Sequence, residues 1–158
     1  MTTTPLRLTS FLPYRLSITS NAVSEMIASR YQALFGLGVA EWRLVAVIAE
    51  QGGITQQEIC RFTRMDKVTV SRTAMGLADR GIVIRLPNPA DKRSKLLTLS
   101  KIGIELYGSI APLAIAMESD IFACLSADER MVLAELLGRI DVHVDALAGR
   151  GEAEAAKD

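Results

Sequence analysis

The chain has 158 residues, with 18 lysines and arginines balanced by 18 aspartates and glutamates. This length suits one domain with its own hydrophobic core, and the formal net charge of zero excludes a uniformly basic protein. The charges are nevertheless segregated, because residues 61–101 hold ten cations and three acids whereas residues 102–158 hold four cations and eleven acids. A basic central segment beside an acidic one is typical of a protein that binds a polyanion.

Two helices are predicted at the N-terminal end of the chain. Apolar residues at helical spacing predict a long amphipathic helix from Ser10 to Phe35, with an irregularity near Pro13. A second helix, from Ala40 to Gln51, has an almost entirely apolar face. It is predicted to end at Gly52-Gly53, because glycine accepts the left-handed backbone of a helix end.

Two shorter helices are predicted where the basic segment begins. Thr55-Gln56-Gln57-Glu58 is a capping box, in which the threonine hydroxyl accepts from the glutamate amide and the glutamate carboxylate accepts from the threonine amide. It predicts a helix that ends near Arg64. Asp66 is an N-cap candidate for a fourth helix over Lys67–Arg80, which Gly81 terminates. Two helices joined by so short a turn predict a helix-turn-helix.

Two strand-like segments, residues 82–86 and 96–100, flank the loop PNPADKRSK. A fifth helix is predicted from Ile102 to Phe122, with a kink at Pro112. A sixth begins at a second capping box, Ser126-Ala127-Asp128-Glu129, and carries a regular apolar stripe.

This order of elements predicts a mostly α-helical fold, a winged helix-turn-helix with about six helices and a wing sheet of two or three strands. Residues 39–100 are predicted to form the DNA-binding domain, and residues 151–158 a disordered tail. The apolar faces of the first, fifth and sixth helices are too broad for a monomer of this size to bury. Residues 1–38 and 101–150 are therefore predicted to form a dimerisation region with a second copy of the chain.

Cysteine and histidine usage excludes several other classes of protein. Cys60 and Cys124 are too few for a disulfide scaffold, which favours a reducing compartment. Cys60 is expected to be a buried apolar residue, with a redox sensor as the alternative. His143 is the single histidine and no cluster has metal-ligand spacing, so we expect no metal and no cofactor. Without a signal peptide or a spanning apolar run, the chain is expected to be cytoplasmic.

The sequence resembles the MarR-type (multiple-antibiotic-resistance regulator) family of transcriptional regulators. The resemblance extends roughly from Ser10 to Leu147 and depends on the helix-turn-helix block and on the stretch from Asp91 to Gly103. That stretch matches the wing pattern D-x-R-x-x-x-L-x-L-T-x-x-G, with Ser100 in place of threonine. The resemblance implies a homodimer that binds an inverted repeat in double-stranded DNA, with the fourth helix of each subunit in the major groove.

Residue chemistry on the two short helices supports DNA binding. Lys67 is expected to contact phosphate, because its ammonium group is a flexible point charge. Val70 has two open roles, contact with a thymine methyl group or a place in the core. The remaining candidates can donate to backbone oxygens or base edges; they are Thr69, Ser71 and Arg72 on the fourth helix and Thr55, Gln56 and Gln57 at the start of the third.

The wing loop contributes the other DNA-binding candidates. Asp91 and Arg93 are two residues apart, so in an extended segment they lie on the same side and the carboxylate can orient the guanidinium. An oriented arginine suits a narrow minor groove. Lys92 and Lys95 are expected to contact phosphates, and Ser94 belongs to the same loop. The alternative is a solvated turn without a binding role.

The resemblance also implies a small-molecule effector, bound in a cleft between the dimerisation helices and the winged helix. Aromatic rings can stack on a ligand and arginines can pair with its carboxylate or phosphate; the candidates are Tyr14, Arg15, Tyr31, Trp42 and Arg43. The opening FLPYRLSITSNAVS and the EWR at 41–43 also resemble the part of the family that governs aromatic-acid catabolism, which implies an aromatic acid or its CoA thioester as the effector. In the alternative, Tyr31 and Trp42 are core residues and the two arginines form structural ion pairs.

Taken together, these features predict a ligand-responsive, dimeric repressor that a small molecule releases from its operator. The competing prediction is a winged-helix module that binds an acidic protein instead of DNA. An enzyme is disfavoured, because no nucleophile, base and orienting group can be assembled from these residues.

Overall fold

The computed structural model describes residues 6–155, which form six α-helices and one three-stranded antiparallel sheet. After a short 3-10 turn at Leu8–Ser10, the elements in chain order are α1 (Leu12–Phe35), α2 (Val39–Gln51), β1 (Ile54–Thr55), α3 (Gln56–Thr63), α4 (Lys67–Asp79), β2 (Val83–Pro87), β3 (Lys95–Leu99), α5 (Lys101–Ile121) and α6 (Ala127–Ala155). The predicted fold class is confirmed, with three strands in the sheet.

Helix ends follow the local chemistry of the sequence. Pro13 lies in the first turn of α1, where a backbone N–H would have no helical partner. The predicted irregularity is therefore an ordinary helix start, two residues after Ser10. The α1 and α2 helices end at Gly36 and Gly52, both with a left-handed backbone (φ 62° and 72°) that glycine adopts without strain.

The chain divides into two compact units, the first ending at Met117 and the second beginning at Glu118. The first unit holds the hydrophobic core, to which α2 contributes Leu44, Val45 and Ile48, all fully buried. The apolar face of α2 is buried against α3, α4 and β3. The predicted division into a dimerisation region and a DNA-binding domain remains a prediction.

The sheet joins the wing to the start of the helix-turn-helix. β3 is the central strand, paired with β2 from Val83↔Leu99 to Pro87↔Lys95 and with β1 through Ile54↔Leu97 and Thr55↔Leu96. Because Thr55 is also the residue that caps α3, pairing β1 with β3 fixes the start of α3 beside the wing.

The junction between the sheet and α5 requires a small residue. The Ser100 hydroxyl donates to the Gly81 carbonyl (2.6 Å) and accepts from the Gly103 amide (3.1 Å), so it caps α5 and ties it to the end of α4. A Cβ atom on Gly103 would overlap the carbonyl oxygen of Ile82. This close approach explains the glycine that ends the wing pattern.

In the second unit, the predicted capping box forms at the start of α6, where the Ser126 amide donates to the Glu129 carboxylate (2.8 Å) and the Glu129 amide to the Ser126 hydroxyl (3.2 Å). The helix continues to Ala155, into the segment predicted to be a disordered tail, and residues 156–158 lie outside the described residues. Within residues 6–155, no single helix has the length and apolar character of a membrane span. α1 and α2 reach that composition only as a pair bent by 83°.

Candidate nucleic-acid interface

The capping box at the start of α3 has the predicted geometry. The Thr55 amide and hydroxyl donate to the Glu58 carboxylate (2.9 and 2.7 Å), and the Glu58 amide donates to the Thr55 hydroxyl (3.3 Å). These bonds, the one from the Thr55 backbone first, hold the pKa of the Glu58 carboxyl below its usual value. Gln57 is exposed next to this cap and Gln56 is half-buried, so Gln57 is the freer of the two to reach a ligand.

A second cap fixes the start of α4. The Asp66 carboxylate accepts from the Thr69 amide (2.8 Å) and from the Thr69 hydroxyl (2.6 Å). The same two bonds, the hydroxyl one first, lower the pKa of the Asp66 carboxyl. Thr69 is half-buried and its hydroxyl proton is used by the cap. Its contribution to the interface is therefore mainly to hold the helix end, with its role as a hydrogen-bond donor to DNA reduced.

The two faces of α4 identify which residues are available to a ligand. Successive residues of an α-helix are about 100° apart, so the fully buried Val70, Ala74 and Leu77 form one face. The opposite face carries Val68, which is 74% exposed, together with exposed Arg72 and Met75. Arg72 is thus accessible, with Lys67 exposed and Ser71 half-buried beside this face.

Burial corrects the prediction for Val70, which has no exposed surface and cannot meet a thymine methyl group. Of its two open roles, the core role is the right one. The accessible valine on this helix is Val68, which sequence reasoning missed. The spacing of the buried residues could have revealed it, because Val68 is about 200° around the helix from Val70.

The wing loop is a hydrogen-bonded turn. The Asn88 amide group donates to the Ser94 hydroxyl (2.8 Å) across the loop, and the Ala90 amide donates to the Asn88 side-chain oxygen (3.0 Å). The Asp91 carbonyl accepts from the Ser94 amide (3.1 Å). The turn-forming role of Asn88 was not predicted, because the prediction for this loop used its charged residues and not its turn-forming ones.

The predicted pair between Asp91 and Arg93 is wrong in its geometry. The Asp91 carboxylate accepts from the backbone amide of Arg93 (2.9 Å), and no ion pair joins the two side chains in the described chain. The reason is local: residues 92 and 93 form a turn, whereas the prediction assumed an extended segment. Asp91 therefore shapes the backbone that presents Arg93 and does not orient the guanidinium itself.

A groove of about 790 Å³ lies between the wing and the starts of α3 and α4. Four cationic side chains line it, Lys67, Arg85, Arg93 and Lys95, with Gln56, Gln57 and Asn88 among the polar residues between them. Its two acids, Glu58 and Asp91, both accept hydrogen bonds from backbone amides. The groove therefore offers cations and amide donors to an anionic chain such as a sugar-phosphate backbone.

The groove adds one residue to the prediction and leaves another outside it. Sequence reasoning missed Arg85, which lines the groove from β2. Strand alternation places it on the same side of the sheet as Val83, but beyond the buried part of the strand. Lys92 is exposed in the turn but does not line the groove.

The effector candidates differ in burial. Tyr31 is 2% exposed and its ring contacts Trp42 at a centroid distance of 5.0 Å, while Trp42 stacks on Tyr107 at 6.0 Å. Burial raises the pKa of the Tyr31 hydroxyl. Tyr31 and the half-buried Trp42 thus belong to the core, as in the alternative considered above. Tyr14, Arg15 and Arg43 are exposed.

An ion pair does occur at this end of the core, with different partners. The Arg80 guanidinium contacts the Glu41 carboxylate at 2.9 Å and donates to the Gly36 carbonyl (3.3 Å), and Glu41 in turn accepts from the Gly38 amide (2.8 Å). The end of α4 is therefore tied to the corner between α1 and α2.

The fold is that of a winged helix-turn-helix protein. Its α4 is capped and accessible on the face opposite the core, and a cation-lined groove lies between the start of this helix and a two-stranded wing. A sequence model of the MarR family matches residues 35–94, which include both caps and the wing loop up to Ser94. Residues 35–94 thus match the MarR family of transcriptional regulators, and the fold is that of a DNA-binding winged-helix regulator.

Individual relatives agree with this assignment. YdgJ of Bacillus subtilis, an HTH-type transcriptional regulator, is 25% identical over 118 residues, covering 75% of this chain and 72% of that protein. The crystal structure of a MarR/EmrR family regulator from Acinetobacter sp. ADP1 has a TM-score of 0.83 at 25% identity, covering 89% of this chain and 99% of that one. A MarR family regulator from Listeria monocytogenes, solved with 26mer DNA, shares the fold with a TM-score of 0.77 at 21% identity, over 85% of this chain and 89% of that one.

Proposed function

We propose that the chain is a homodimeric repressor that binds an inverted repeat in duplex DNA and is released by a small molecule. The observation that carries the DNA-binding mode is the position of the groove cations beside the exposed face of α4. A duplex whose major groove receives α4 would bring a phosphate backbone against these cations. The Listeria monocytogenes relative, solved in complex with DNA, supports this mode through its shared fold.

Contacts divide by chemistry in this proposal. Lys67, Arg85 and Lys95 line the groove and neutralise phosphates, which gives affinity without sequence preference. Arg93, at the wing, enters a narrow minor groove of the duplex, where negative potential is enhanced. Arg72, on the accessible face of α4, is placed to reach base edges, where a guanidinium pairs with the two acceptors of guanine. Thr55, Thr69 and Ser94 act indirectly, because their hydroxyl groups are used within the caps and the wing turn.

Dimerisation is proposed from the exposed apolar side chains of the terminal helices. On α6 the predicted stripe is open to solvent in the isolated chain, as Leu133, Leu136, Leu137, Ile140 and Val144 illustrate. On α1, Leu12, Leu16 and Met26 are likewise exposed. A second copy would bury these surfaces. Light scattering should give twice the chain mass of 17.2 kDa, and the double variant Leu136→Glu/Ile140→Glu should give a monomer. A monomeric wild type would contradict the proposal.

The effector proposed is an aromatic acid or its CoA thioester. Support comes from the exposed Tyr14, Arg15 and Arg43, and from the PcaV regulator of Streptomyces coelicolor, which shares the fold at 18% identity and was solved with its natural ligand. A ligand that binds only the folded protein must raise its melting temperature. A thermal-shift screen with benzoate, hydroxybenzoates and their CoA esters tests this, and a ligand that raises the melting temperature should also weaken DNA binding. No shift with any member would reject this class of effector.

The central test is binding of the wild-type protein to duplex DNA from its own upstream region. We expect affinity that falls steeply as salt rises, because phosphate contacts release counterions. Binding to an acidic protein in preference to any duplex would favour the competing winged-helix module. The relatives named above are transcriptional regulators, which supports a regulatory role over an enzymatic one. Since the proposed partner is DNA, the proposed place of action is the cytoplasm.

A further inference from the structure

The accessible face of α4 has an unusual composition for a surface that binds DNA. Val68 and Met75 are 74% and 48% exposed, and Arg72 lies between them. Val68 and Met75 are seven residues apart, so they lie within about 20° of each other around the helix and about 10 Å apart along it. The row is thus apolar, cationic, apolar.

The fold does not explain the valine. The α4 core face is complete without it, since Val70, Ala74 and Leu77 are each fully buried. The start of the helix is capped by Asp66 and Thr69, so Val68 has no capping role. Single exposed apolar residues are common on protein surfaces. This one, however, shares a row with Met75 directly opposite the core, on the helix proposed to read DNA.

Only one group in the major groove matches such a side chain. Thymine presents its C5-methyl group there, whereas the other base edges present hydrogen-bond donors and acceptors. A valine placed against a donor or acceptor would exclude water from it without replacing the lost hydrogen bond, which costs free energy. A valine against the methyl group removes apolar surface from water on both sides.

We propose that Val68 is a specificity-determining residue that selects thymine at one position of each half-site through its C5-methyl group. The proposal deepens the proposed function and depends on α4 entering the major groove. Met75, about two turns further along, contacts a different base pair, and Arg72 lies between the two apolar contacts.

The test isolates the methyl group. A duplex selected by the wild-type protein from a randomised pool is remade with each thymine replaced in turn by deoxyuridine, which lacks only that methyl. At one thymine per half-site we expect the replacement to weaken wild-type binding about three- to fivefold, the size expected for one buried methyl group. The variant Val68→Ser should bind the thymine and uracil duplexes equally well. Cytosine at the same position should be partly rescued by 5-methylcytosine for the wild type only.

A matched control uses the valine of α6 that is 72% exposed and lies off the apolar stripe. Val142→Ser should keep the full deoxyuridine penalty. Unchanged melting temperatures of both serine variants would show that they fold. The inference is overturned if no deoxyuridine weakens wild-type binding, or if Val68→Ser retains the wild-type penalty. Failure of the proposed function is distinct, since the wild-type protein would then select no duplex from the pool.

Discussion

Arg93 is the cation whose removal should affect DNA binding most directly at the wing. It lines the groove, and the turn that presents it is held by Asp91 and Asn88. Arg93→Ala should weaken operator binding by about 1–3 kcal/mol, as expected for an arginine that contacts a base edge or a narrow groove. Fluorescence anisotropy at fixed salt measures the change. Arg30→Ala removes the same charge from an exposed position on α1, outside the groove, and should have little effect. Equal losses in the two variants would exclude a specific role for Arg93.

Substitutions of Asp91 distinguish a role in shaping the wing turn from an ion pair with Arg93. The Asp91 carboxylate accepts a hydrogen bond from the Arg93 amide, and an asparagine oxygen can accept the same bond. Asp91→Asn should therefore bind DNA at least as tightly as the wild type, since it also removes a negative charge from the groove. Asp91→Ala should bind several-fold more weakly, because the turn loses one of its hydrogen bonds. If Asp91→Asn weakened DNA binding as much as Asp91→Ala, the carboxylate charge would matter, as in the pairing with Arg93 that was predicted from sequence.

Single residues also show where prediction from sequence stops. The residue types at the wing were predicted, because a cluster of lysines and arginines after a helix-turn-helix has few other uses. Their contacts were not predicted. Because the loop forms a turn and not an extended segment, the Asp91 carboxylate accepts from the Arg93 backbone amide and does not contact its guanidinium. The effector role predicted for Tyr31 and Trp42 was wrong for a related reason: an aromatic ring suits a ligand site and a core equally well. Only the packing in the folded protein distinguishes the two.

At the scale of elements, the two caps of the helix-turn-helix make its stability depend on pH. The pKa values of Glu58 and Asp66 are lowered in the folded protein by bonds from Thr55 and Thr69. The unfolded chain therefore binds more protons at low pH, so this stabilisation is complete above the ordinary carboxyl pKa of about 4 and is lost as the pH falls through the lower folded values.

The corresponding prediction concerns the melting temperature between about pH 7 and about pH 3. The wild type should lose stability steeply at the acid end. Asp66→Asn retains a capping oxygen but does not titrate, so its melting temperature should fall less steeply over the same range. Parallel curves for the two proteins would mean that the Asp66 carboxyl contributes nothing to acid sensitivity.

The junction of α4, the wing and α5 gives a second prediction at this scale. Gly103→Ala places a methyl group against the Ile82 carbonyl, so α5 or the strand must move, at a cost of about 1–3 kcal/mol in the free energy of unfolding. Gly108 lies on the same helix, with open space where a Cβ atom would be placed. Gly108→Ala should stabilise by about 0.5–1 kcal/mol, because alanine favours a helix. Urea unfolding of both variants measures the difference, and similar values would show that the junction yields freely.

Element boundaries were predicted to within one or two residues wherever a cap or a glycine marks them, as at Thr55, Asp66 and Ser126. The strand β1 was not predicted separately. It has two residues, too few for an alternating pattern, and it exists because β3 offers an unpaired edge next to the start of α3.

For the whole molecule, the separation of charge along the sequence corresponds to the proposed separation of DNA binding from dimerisation. The ten cations of residues 61–101 include the four that line the groove. The acid-rich residues after 101 form the terminal helices, which are proposed to meet another copy of the chain and not DNA. A net charge of zero is thus compatible with a DNA-binding surface, because the binding energy depends on the local field.

That local field leads to a prediction about salt. The logarithm of the operator affinity should fall linearly with the logarithm of salt concentration, with a slope that counts neutralised phosphates. Lys67→Ala should reduce this slope by about one while leaving sequence preference unchanged, because a lysine on a phosphate carries no base information. Arg72→Ala should do the reverse, lowering the discrimination between the selected duplex and a scrambled one with little change in slope. If both variants change the salt slope and the sequence discrimination together, Lys67 and Arg72 do not divide into a phosphate contact and a base contact. In that case α4 enters the major groove of DNA in an orientation different from the one that its exposed face indicates.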